Sequence, residues 1–197
     1  MLHDDIITDY NGHVKKIHCV GVGGIGLSAL ASVLKAQGDH ISGSDREASA
    51  LTNKLEKMGI KIQIGHEARF IKDADVVIHS LAIPKSNPEL KEARRLKIPV
   101  LSYPEALGEL TKNYYTIAVC GTHGKSTVTS MIAKALIEND FDPTVVVGTQ
   151  LKELSGMNFR VGKKGKILLI ESCEYKRAFL NYNPLVLVLH TLDPDHL

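Results

Sequence analysis

Short apolar runs alternate along this chain with longer segments in which apolar residues recur every three or four positions. The runs predict buried strands, and the longer segments predict helices with one buried face. The first pair is a strand at Lys16–Val20 and a helix with apolar residues at Leu27, Leu30, Ala31 and Leu34. Strands separated by helices predict an open parallel sheet with helices on both faces.

The alternation continues through the rest of the chain. Further strands are predicted at 40–42, 61–64, 75–79, 99–102, 114–120, 143–147, 166–170 and 185–189, and further helices at 48–58, 88–96, 103–110 and from 125 towards Asn139. The segment 152–166 contains three glycines and many charged residues, so it is predicted to be a loop.

A glycine motif follows the first predicted strand. Residues 21–26 read Gly-Val-Gly-Gly-Ile-Gly, which fits G-x-G-x-x-G, and Asp45 follows about 20 positions later at the end of the second strand. This pattern is typical of a dinucleotide-binding βαβ unit. Taken alone it also fits a nucleotide sugar, or a tight strand–helix junction without a ligand.

A second glycine motif, Gly-Thr-His-Gly-Lys-Ser-Thr, occupies residues 121–127 between a predicted strand and a predicted helix. Glycines let the backbone approach a ligand, and the first N–H groups of the helix point towards an anion. Lys125 adds a positive charge, so the motif predicts a nucleotide phosphate loop. The common phosphate loop has a glycine at the position of Val119, so this one is shorter. The alternative is a glycine turn with a solvated lysine.

The polar stretch 111–113 separates two complete patterns, so we predict a domain boundary after Lys112. Residues 1–112 are predicted to form a Rossmann-like parallel-sheet domain. Residues 113–197 are predicted to form a P-loop-type α/β domain that binds a nucleotide phosphate.

Composition narrows the function classes. The 197 residues carry a formal net charge of +2, which gives no reason to expect nucleic acid or an anionic membrane as a partner. Residues 1–16 are polar and do not resemble a signal peptide, and no apolar run approaches membrane-spanning length. Three cysteines without close pairing suit reduced thiols in a cytoplasmic protein.

The sequences of several segments resemble those of the Mur ligases, which build the peptide of bacterial cell-wall precursors. The similar segments are 20–28, 42–45, 79–84, 87–90 and 121–127. The resemblance implies that the first domain binds UDP-N-acetylmuramate, with the diphosphate near Gly23, Gly24, Ile25 and Gly26. Asp45 would then meet a uridine hydroxyl or ring N–H, or would instead cap the helix that follows. Ser80 and Ala82 are further candidates on resemblance only.

The resemblance also implies ATP and Mg²⁺ as cofactors. ATP would be bound by Gly121, Thr122, His123, Gly124, Lys125, Ser126 and Thr127, with Lys125 and His123 as catalytic candidates. His123 would orient a substrate group or simply pack under the loop. Mg²⁺ prefers oxygen ligands, and the metal-site candidates are Ser126, Glu171 and His196. Glu171 could instead be a strand-end charge facing water. Glu174 is a less secure candidate, and Thr191 stands where the family usually has asparagine.

The resemblance further implies ATP-dependent joining of L-alanine to UDP-N-acetylmuramate through an acyl phosphate. The family has a longer central domain and a third domain, so we expect this chain to be a fragment with little or no turnover. L-alanine-dependent phosphate release by this chain would contradict that expectation. Three alternatives remain open: a recycling ligase that attaches a whole peptide, a non-catalytic nucleotide-sugar-binding module, and an NAD-dependent oxidoreductase. The last leaves the second glycine motif unexplained.

Overall fold

A computed structural model of the chain describes residues 14–163, 165–172 and 175–193. These residues fall into two compact units that divide between Ala106 and Leu107. The division lies inside a helix at Tyr103–Thr111, and the boundary predicted from the sequence lies just beyond the end of that helix.

The first unit contains a five-stranded sheet in the order β3-β2-β1-β4-β5. Its strands are β1 (Lys16–Val20), β2 (His40–Asp45), β3 (Lys61–Ile64), β4 (Val76–His79) and β5 (Val100–Ser102). Every pair is parallel, as predicted. Because β2 and β4 flank β1, the chain reverses its direction of travel across the sheet there, which places a crevice at the carboxyl ends of these strands.

The helices of this unit begin at residues that favour the start of a helix. They are α1 (Ile25–Ala36), α2 (Ala50–Lys57) and α3 (Pro88–Arg95), with a short 3-10 helix at Ala68–Ile71, while α4 (Tyr103–Thr111) spans the division between the units. Helix α1 follows the first glycine motif and is buried from Leu27 to Leu34. Helix α3 begins with Pro88 at its first position, and the Asn87 side chain accepts hydrogen bonds from the amides of Glu89 and Leu90.

The second unit contains another five-stranded sheet, in the order β10-β6-β9-β7-β8. Its elements are β6 (Tyr115–Cys120), α5 (Lys125–Glu138), β7 (Thr144–Leu151), β8 (Met157–Arg160), β9 (Ile167–Glu171) and β10 (Val186–Leu189), with 3-10 segments at Lys152–Leu154 and Tyr175–Asn181. Helix α5 packs on a core that includes Val119, Val145 and Leu169. The pairs β10–β6, β6–β9 and β9–β7 are parallel.

The predicted loop at 152–166 is wrong. It contains a 3-10 turn and strand β8, which pairs antiparallel with β7. Ser155 and Gly156 both have positive φ angles, 56° and 73°, and so reverse the chain between the two strands. The charged side chain of Arg160 can be accommodated in this strand because it has partners. Its guanidinium donates a 2.6 Å hydrogen bond to Pro143 O and forms an ion pair with Asp142.

Cys19 lies in β1 with no exposed surface, and burial raises the pKa of its thiol to about 12. Cys120 is half-buried at the end of β6, and neither of these two thiols is in a disulfide. In the part of the chain that the structure describes, no helix is both long enough and apolar enough to cross a bilayer.

Candidate functional site

The first glycine motif forms the turn between β1 and α1. Gly21 has a φ of 78°, which favours glycine, and its amide donates a 2.8 Å hydrogen bond to Ser44 O. The Val22 amide donates to the same carbonyl oxygen at 3.1 Å. The end of β2 therefore holds the start of the turn, and the amino-terminal end of α1 follows at the carboxyl edge of the sheet.

Asp45 stabilises this glycine turn. Its Oδ2 accepts a 2.7 Å hydrogen bond from the Gly23 amide, and its Oδ1 accepts one from the Arg46 amide at 2.8 Å. The cap of α2 is Ser49, whose hydroxyl accepts a hydrogen bond from the Thr52 amide at 3.2 Å. The alternative that Asp45 caps the following helix is therefore wrong, because the helix starts later and has its own cap.

A cavity of about 570 Å³ lies beside the turn, at the carboxyl edge of the sheet. It is lined by the last residue of β2 and by residues that follow β2, β3 and β4: Asp45, Arg46, Glu47, His66, Ala82, Ile83, Pro84, Ser86, Asn87 and Pro88. Ser80 lies next to the turn, since a Cβ built on Gly24 would be 3.7 Å from its Oγ. Asp45, Ser80 and Ala82, which were predicted to bind the nucleotide sugar together with the first motif, thus lie near the turn at one edge of the sheet.

Gly26, the last glycine of the first motif, packs against another part of the unit. A Cβ built on Gly26 would lie 2.7 Å from Cζ of Tyr103, so this glycine allows a close approach to an aromatic ring. Ile25 starts α1 and its side chain is exposed. The structure therefore gives Gly26 a packing reason that is independent of any ligand.

The second glycine motif forms the turn between β6 and α5. Gly124 is the residue before the helix, has a left-handed φ of 76°, and has no side chain with which to cap the helix. His123, Gly124 and Thr127 are exposed, while Gly121, Thr122, Lys125 and Ser126 are half-buried. The loop is therefore an accessible strand–helix turn with the geometry expected of an anion site.

The side chain of Lys125 turns back over this loop. Its Nζ donates hydrogen bonds to Gly121 O at 2.7 Å and to Thr122 O at 3.3 Å. The ammonium group is thus held above the backbone of the second motif, beside the start of α5. A positive charge at that position adds to the partial positive charge of the helix amino terminus.

Two predicted metal-site residues are in direct contact. The Ser126 hydroxyl donates to Glu171 Oε1 at 2.9 Å, and the Gly148 amide donates to Glu171 Oε2 at 2.9 Å. Glu171 ends β9, which lies beside β6 in the sheet, and so its carboxylate reaches the first turn of α5. The alternative of a carboxylate that only faces water is wrong.

The third predicted metal ligand, His196, lies outside the described residues, as does Glu174. Among the residues that the structure does describe, no cluster of three or more His, Cys, Asp or Glu side chains is arranged to hold a metal. Ser126 and Glu171 form a pair of oxygen donors, and the role of His196 as a metal ligand stays a prediction.

The segment after β10 contacts the second motif directly. Thr191 O accepts from the Thr122 amide at 3.2 Å, and Thr191 Oγ1 accepts from the His123 amide at 2.9 Å. Asp193 O and the Asp193 amide both bond Thr122 Oγ1, at 3.0 and 2.9 Å. Two loop amides thus have partners inside the protein. This role of Thr191 was not predicted, because only the pairing of β10 with β6 brings 191 to the loop.

The sequence analysis also missed a buried polar cluster in the first unit, formed by His18, Ser44, His66 and Glu89. Glu89 has no exposed side-chain surface, and its carboxylate bonds His18 Nε2 and His66 Nδ1 at 2.7 Å each. Burial acts to raise the pKa of Glu89, but hydrogen bonds from His18, His66 and Ser44 outweigh it and hold the pKa below its ordinary value. The one signal in the sequence was an acidic residue directly after a helix-starting proline.

Residues 16–115 match the family described as "Mur ligase family, catalytic domain". That match covers more than half of the chain. This chain belongs to the Mur ligase family.

Curated Mur ligases are similar to nearly the whole chain. The UDP-N-acetylmuramate–L-alanine ligase of Clostridium perfringens is 42% identical over 194 residues, which are 98% of this chain and 41% of the relative. The enzyme of the same name from Pelobacter propionicus is 45% identical over 186 residues, 94% of this chain and 40% of the relative. The chain therefore spans about two-fifths of the length of the curated Mur ligases it matches.

Solved structures of Mur ligases share the fold. The UDP-N-acetylmuramate–alanine ligase of Thermotoga maritima aligns with a TM-score of 0.79 at 33% identity, over 89% of this chain and 41% of that one. A UDP-N-acetylmuramate:L-alanyl-γ-D-glutamyl-meso-diaminopimelate ligase from Neisseria meningitides aligns with a TM-score of 0.85 at 27% identity, over 93% of this chain and 62% of that one. The predicted fold class, a Rossmann-like sheet followed by part of a P-loop-type α/β domain, is confirmed.

Proposed function

We propose that this chain is part of an ATP-dependent ligase that joins L-alanine to UDP-N-acetylmuramate in the cytoplasm. The product is a peptidoglycan precursor, so the enzyme would serve cell-wall synthesis and with it cell shape and division. The observation that carries the proposal is the identity of 42% and 45% to L-alanine ligases over 98% and 94% of the chain. The two glycine turns support it, because each is suited to one phosphate-bearing substrate.

In this proposal the first unit binds the nucleotide sugar. The turn at 23–26 opens α1, and the amino terminus of a helix attracts the diphosphate through its N–H groups and its dipole. The adjacent 570 Å³ cavity would take the uridine, with Asp45 and Ala82 in its wall and Ser80 beside the turn. The hydrogen bond from Gly23 to Asp45 Oδ2 holds the turn ready before the ligand arrives.

The second unit would bind ATP at residues 121–127. Lys125 and the start of α5 would neutralise phosphate charge. Ser126 and Glu171 offer the oxygen donors that Mg²⁺ prefers, and the ion would neutralise charge between the phosphates. His123 is exposed at the loop and is suited to orienting a substrate carboxylate or a phosphate. For the phosphates to reach the amides of Thr122 and His123, Thr191 would have to release them.

The reaction in this proposal has two steps. The muramate carboxylate attacks the γ-phosphate of ATP, and ADP leaves with formation of an acyl phosphate. The L-alanine amine then attacks the activated carbonyl carbon, and phosphate leaves as the amide bond forms. The contribution of the residues described is to position the reactants and to neutralise charge.

Calorimetry with separate ligands tests the proposal on this chain. UDP-N-acetylmuramate and Mg-ATP should each bind, with one site per chain, because each ligand has its own unit. NADH is the control for the oxidoreductase alternative and should not bind measurably. Tight NADH binding with no response to the nucleotide sugar would contradict the proposal.

A recycling ligase that attaches a whole peptide is a second candidate, favoured by the TM-score of 0.85 to the Neisseria enzyme. The identity is lower for that structure, 27% against 33% for the alanine ligase from Thermotoga. Assays of the full-length protein with L-alanine and with the tripeptide would separate the two. Preferential use of the tripeptide would favour the recycling enzyme.

Replacing Glu171 with glutamine should weaken Mg²⁺-dependent ATP binding by about tenfold or more, because an anionic oxygen donor near the metal is lost. The amide keeps the size of the side chain and can still accept from the Ser126 hydroxyl. Isothermal titration of Mg-ATP measures the effect. Glu153→Gln, at an exposed position of the same unit, is the matched control and should bind as the native chain does. Equal affinities for the two variants would remove Glu171 from the metal site.

A further inference from the structure

The buried cluster around Glu89 reaches the cavity beside the first glycine turn through one side chain, His66. We propose that His66 is a ligand-binding residue of this cavity and that Glu89 is a positioning residue that acts through it. The inference rests on the proposed function, since it assigns to His66 a hydrogen bond with the uridine part of the nucleotide sugar.

The geometry of His66 suits such a role. Its Nδ1 lies 2.7 Å from Glu89 Oε1, inside the unit, while 19% of its side chain remains exposed. The same imidazole lines the 570 Å³ cavity together with Asp45 and Ala82. One nitrogen of the ring is therefore anchored in the core, and the ring contributes to the cavity wall.

The anchor itself is rigid. Glu89 Oε2 bonds His18 Nε2 at 2.7 Å, and Ser44 Oγ donates to both carboxylate oxygens, at 2.8 and 2.9 Å. The other nitrogen of His18 bonds Ser42 Oγ at 2.8 Å. Because β1, β2 and α3 each contribute to this cluster, the carboxylate cannot rotate away from His66 without breaking several buried hydrogen bonds.

The anchor also determines which proton the ring carries. An ionised carboxylate only accepts hydrogen bonds, so Nδ1 of His66 must hold a hydrogen. In a neutral ring the remaining nitrogen, Nε2, is then an acceptor. The cavity would therefore present two acceptors, His66 Nε2 and the Asp45 carboxylate, to the donors of a nucleoside. Those donors are the ring N–H of uracil and the hydroxyls of ribose.

The test measures binding of UDP to the 197-residue chain by calorimetry. His66→Phe keeps a flat ring of similar size and removes the acceptor, and it should weaken UDP binding about tenfold. His40→Phe is the matched control, because His40 is an exposed histidine at the opposite end of β2, and it should leave UDP affinity unchanged.

Ligand analogues identify the hydrogen bond. N3-methyl-UDP lacks the ring N–H, and 2′-deoxy-UDP and 3′-deoxy-UDP each lack one ribose hydroxyl. The analogue that lacks the donor to His66 should bind the native chain about tenfold more weakly than UDP does. That same analogue should bind His66→Phe as well as UDP binds it. A defect in folding would not remove the penalty of one analogue alone.

A double-mutant cycle tests the positioning role. Glu89→Gln should weaken UDP binding in the native background and add little in the His66→Phe background. If Glu89→Gln does not fold, Ser44→Ala takes its place, because it removes a hydroxyl that holds the same carboxylate. Additive losses in the cycle would overturn the role of Glu89. Unchanged UDP affinity of His66→Phe would overturn that of His66, whereas a native chain that fails to bind UDP would instead contradict the proposed function.

Discussion

Replacing Lys125 with alanine should weaken ATP binding by about one hundredfold. A hydrogen bond from a charged donor contributes about 1.5–3 kcal/mol, and Lys125 is placed to make such bonds with phosphate oxygens at the start of α5. In this structure its Nζ spans the carbonyl oxygens of Gly121 and Thr122, so the charge already lies over the loop. Titration of Mg-ATP into the variant and the native chain measures the difference.

Lys134→Ala is the matched control, because Lys134 lies on the outer part of the same helix and pairs only weakly with Glu138 at 3.7 Å. It should bind Mg-ATP as the native chain does. Binding of UDP-N-acetylmuramate should be the same for both variants, since its proposed site lies in the other unit. An unchanged ATP affinity in Lys125→Ala would show that residues 121–127 are not the phosphate loop of this protein.

Replacing Glu89 with alanine should destabilise the first unit by about 3 kcal/mol. Removal of one partner from a buried charged cluster leaves the others without compensation, which is more costly than never having built the cluster. Here the group left without a partner is His18 Nε2, on a side chain with no exposed surface. Amide hydrogen exchange in β1 and β2 measures the loss of stability where it arises.

The control for this prediction is Glu92→Ala, one turn further along α3. Glu92 pairs with Arg95 on the surface, and exposed pairs of this kind contribute little to stability. Protection of β1 and β2 should therefore stay at the native level. Equal protection in the Glu89 and Glu92 variants would show that the buried cluster does not stabilise the unit.

The pH dependence of the Glu89 effect has a defined sign. The pKa of Glu89 in the folded chain lies below the ordinary value of 4.5, so its contribution to stability is complete above about pH 4.5. It is lost as the pH falls through the lowered pKa, because the carboxyl is then protonated in the folded state as well. The difference in the free energy of unfolding between the native chain and Glu89→Ala should accordingly narrow as the pH falls below about 4.5.

Strand positions could be predicted because the core strands have strong apolar runs. Strand β1 was predicted with its observed ends at Lys16 and Val20, and β3 with its observed ends at Lys61 and Ile64. Strand β2 was predicted at 40–42, and the observed strand continues to Asp45. Strand β8 was missed because Asn158 and Arg160 are polar, and only tertiary contacts compensate for that polarity in the fold.

The two glycine turns could be predicted because a few consecutive residues encode each of them. Contacts between residues far apart in the sequence could not be predicted. His18 and Glu89 are 71 positions apart, and Thr122 and Asp193 also 71, and no local pattern marks either pair. Asp45 was singled out from its spacing, but its hydrogen bond to Gly23 depends on how β2 runs beside the turn.

Because Cys19 is deeply buried, its rate of reaction with a thiol reagent can report how often the core of the first unit opens. Thiol reagents attack the thiolate, and a pKa of about 12 leaves almost none of it at neutral pH, while the packed strands also exclude the reagent. Alkylation of this side chain therefore requires the sheet around β1 to open. Its labelling rate would follow how often that opening happens, in a protein without a single tryptophan to report it by fluorescence.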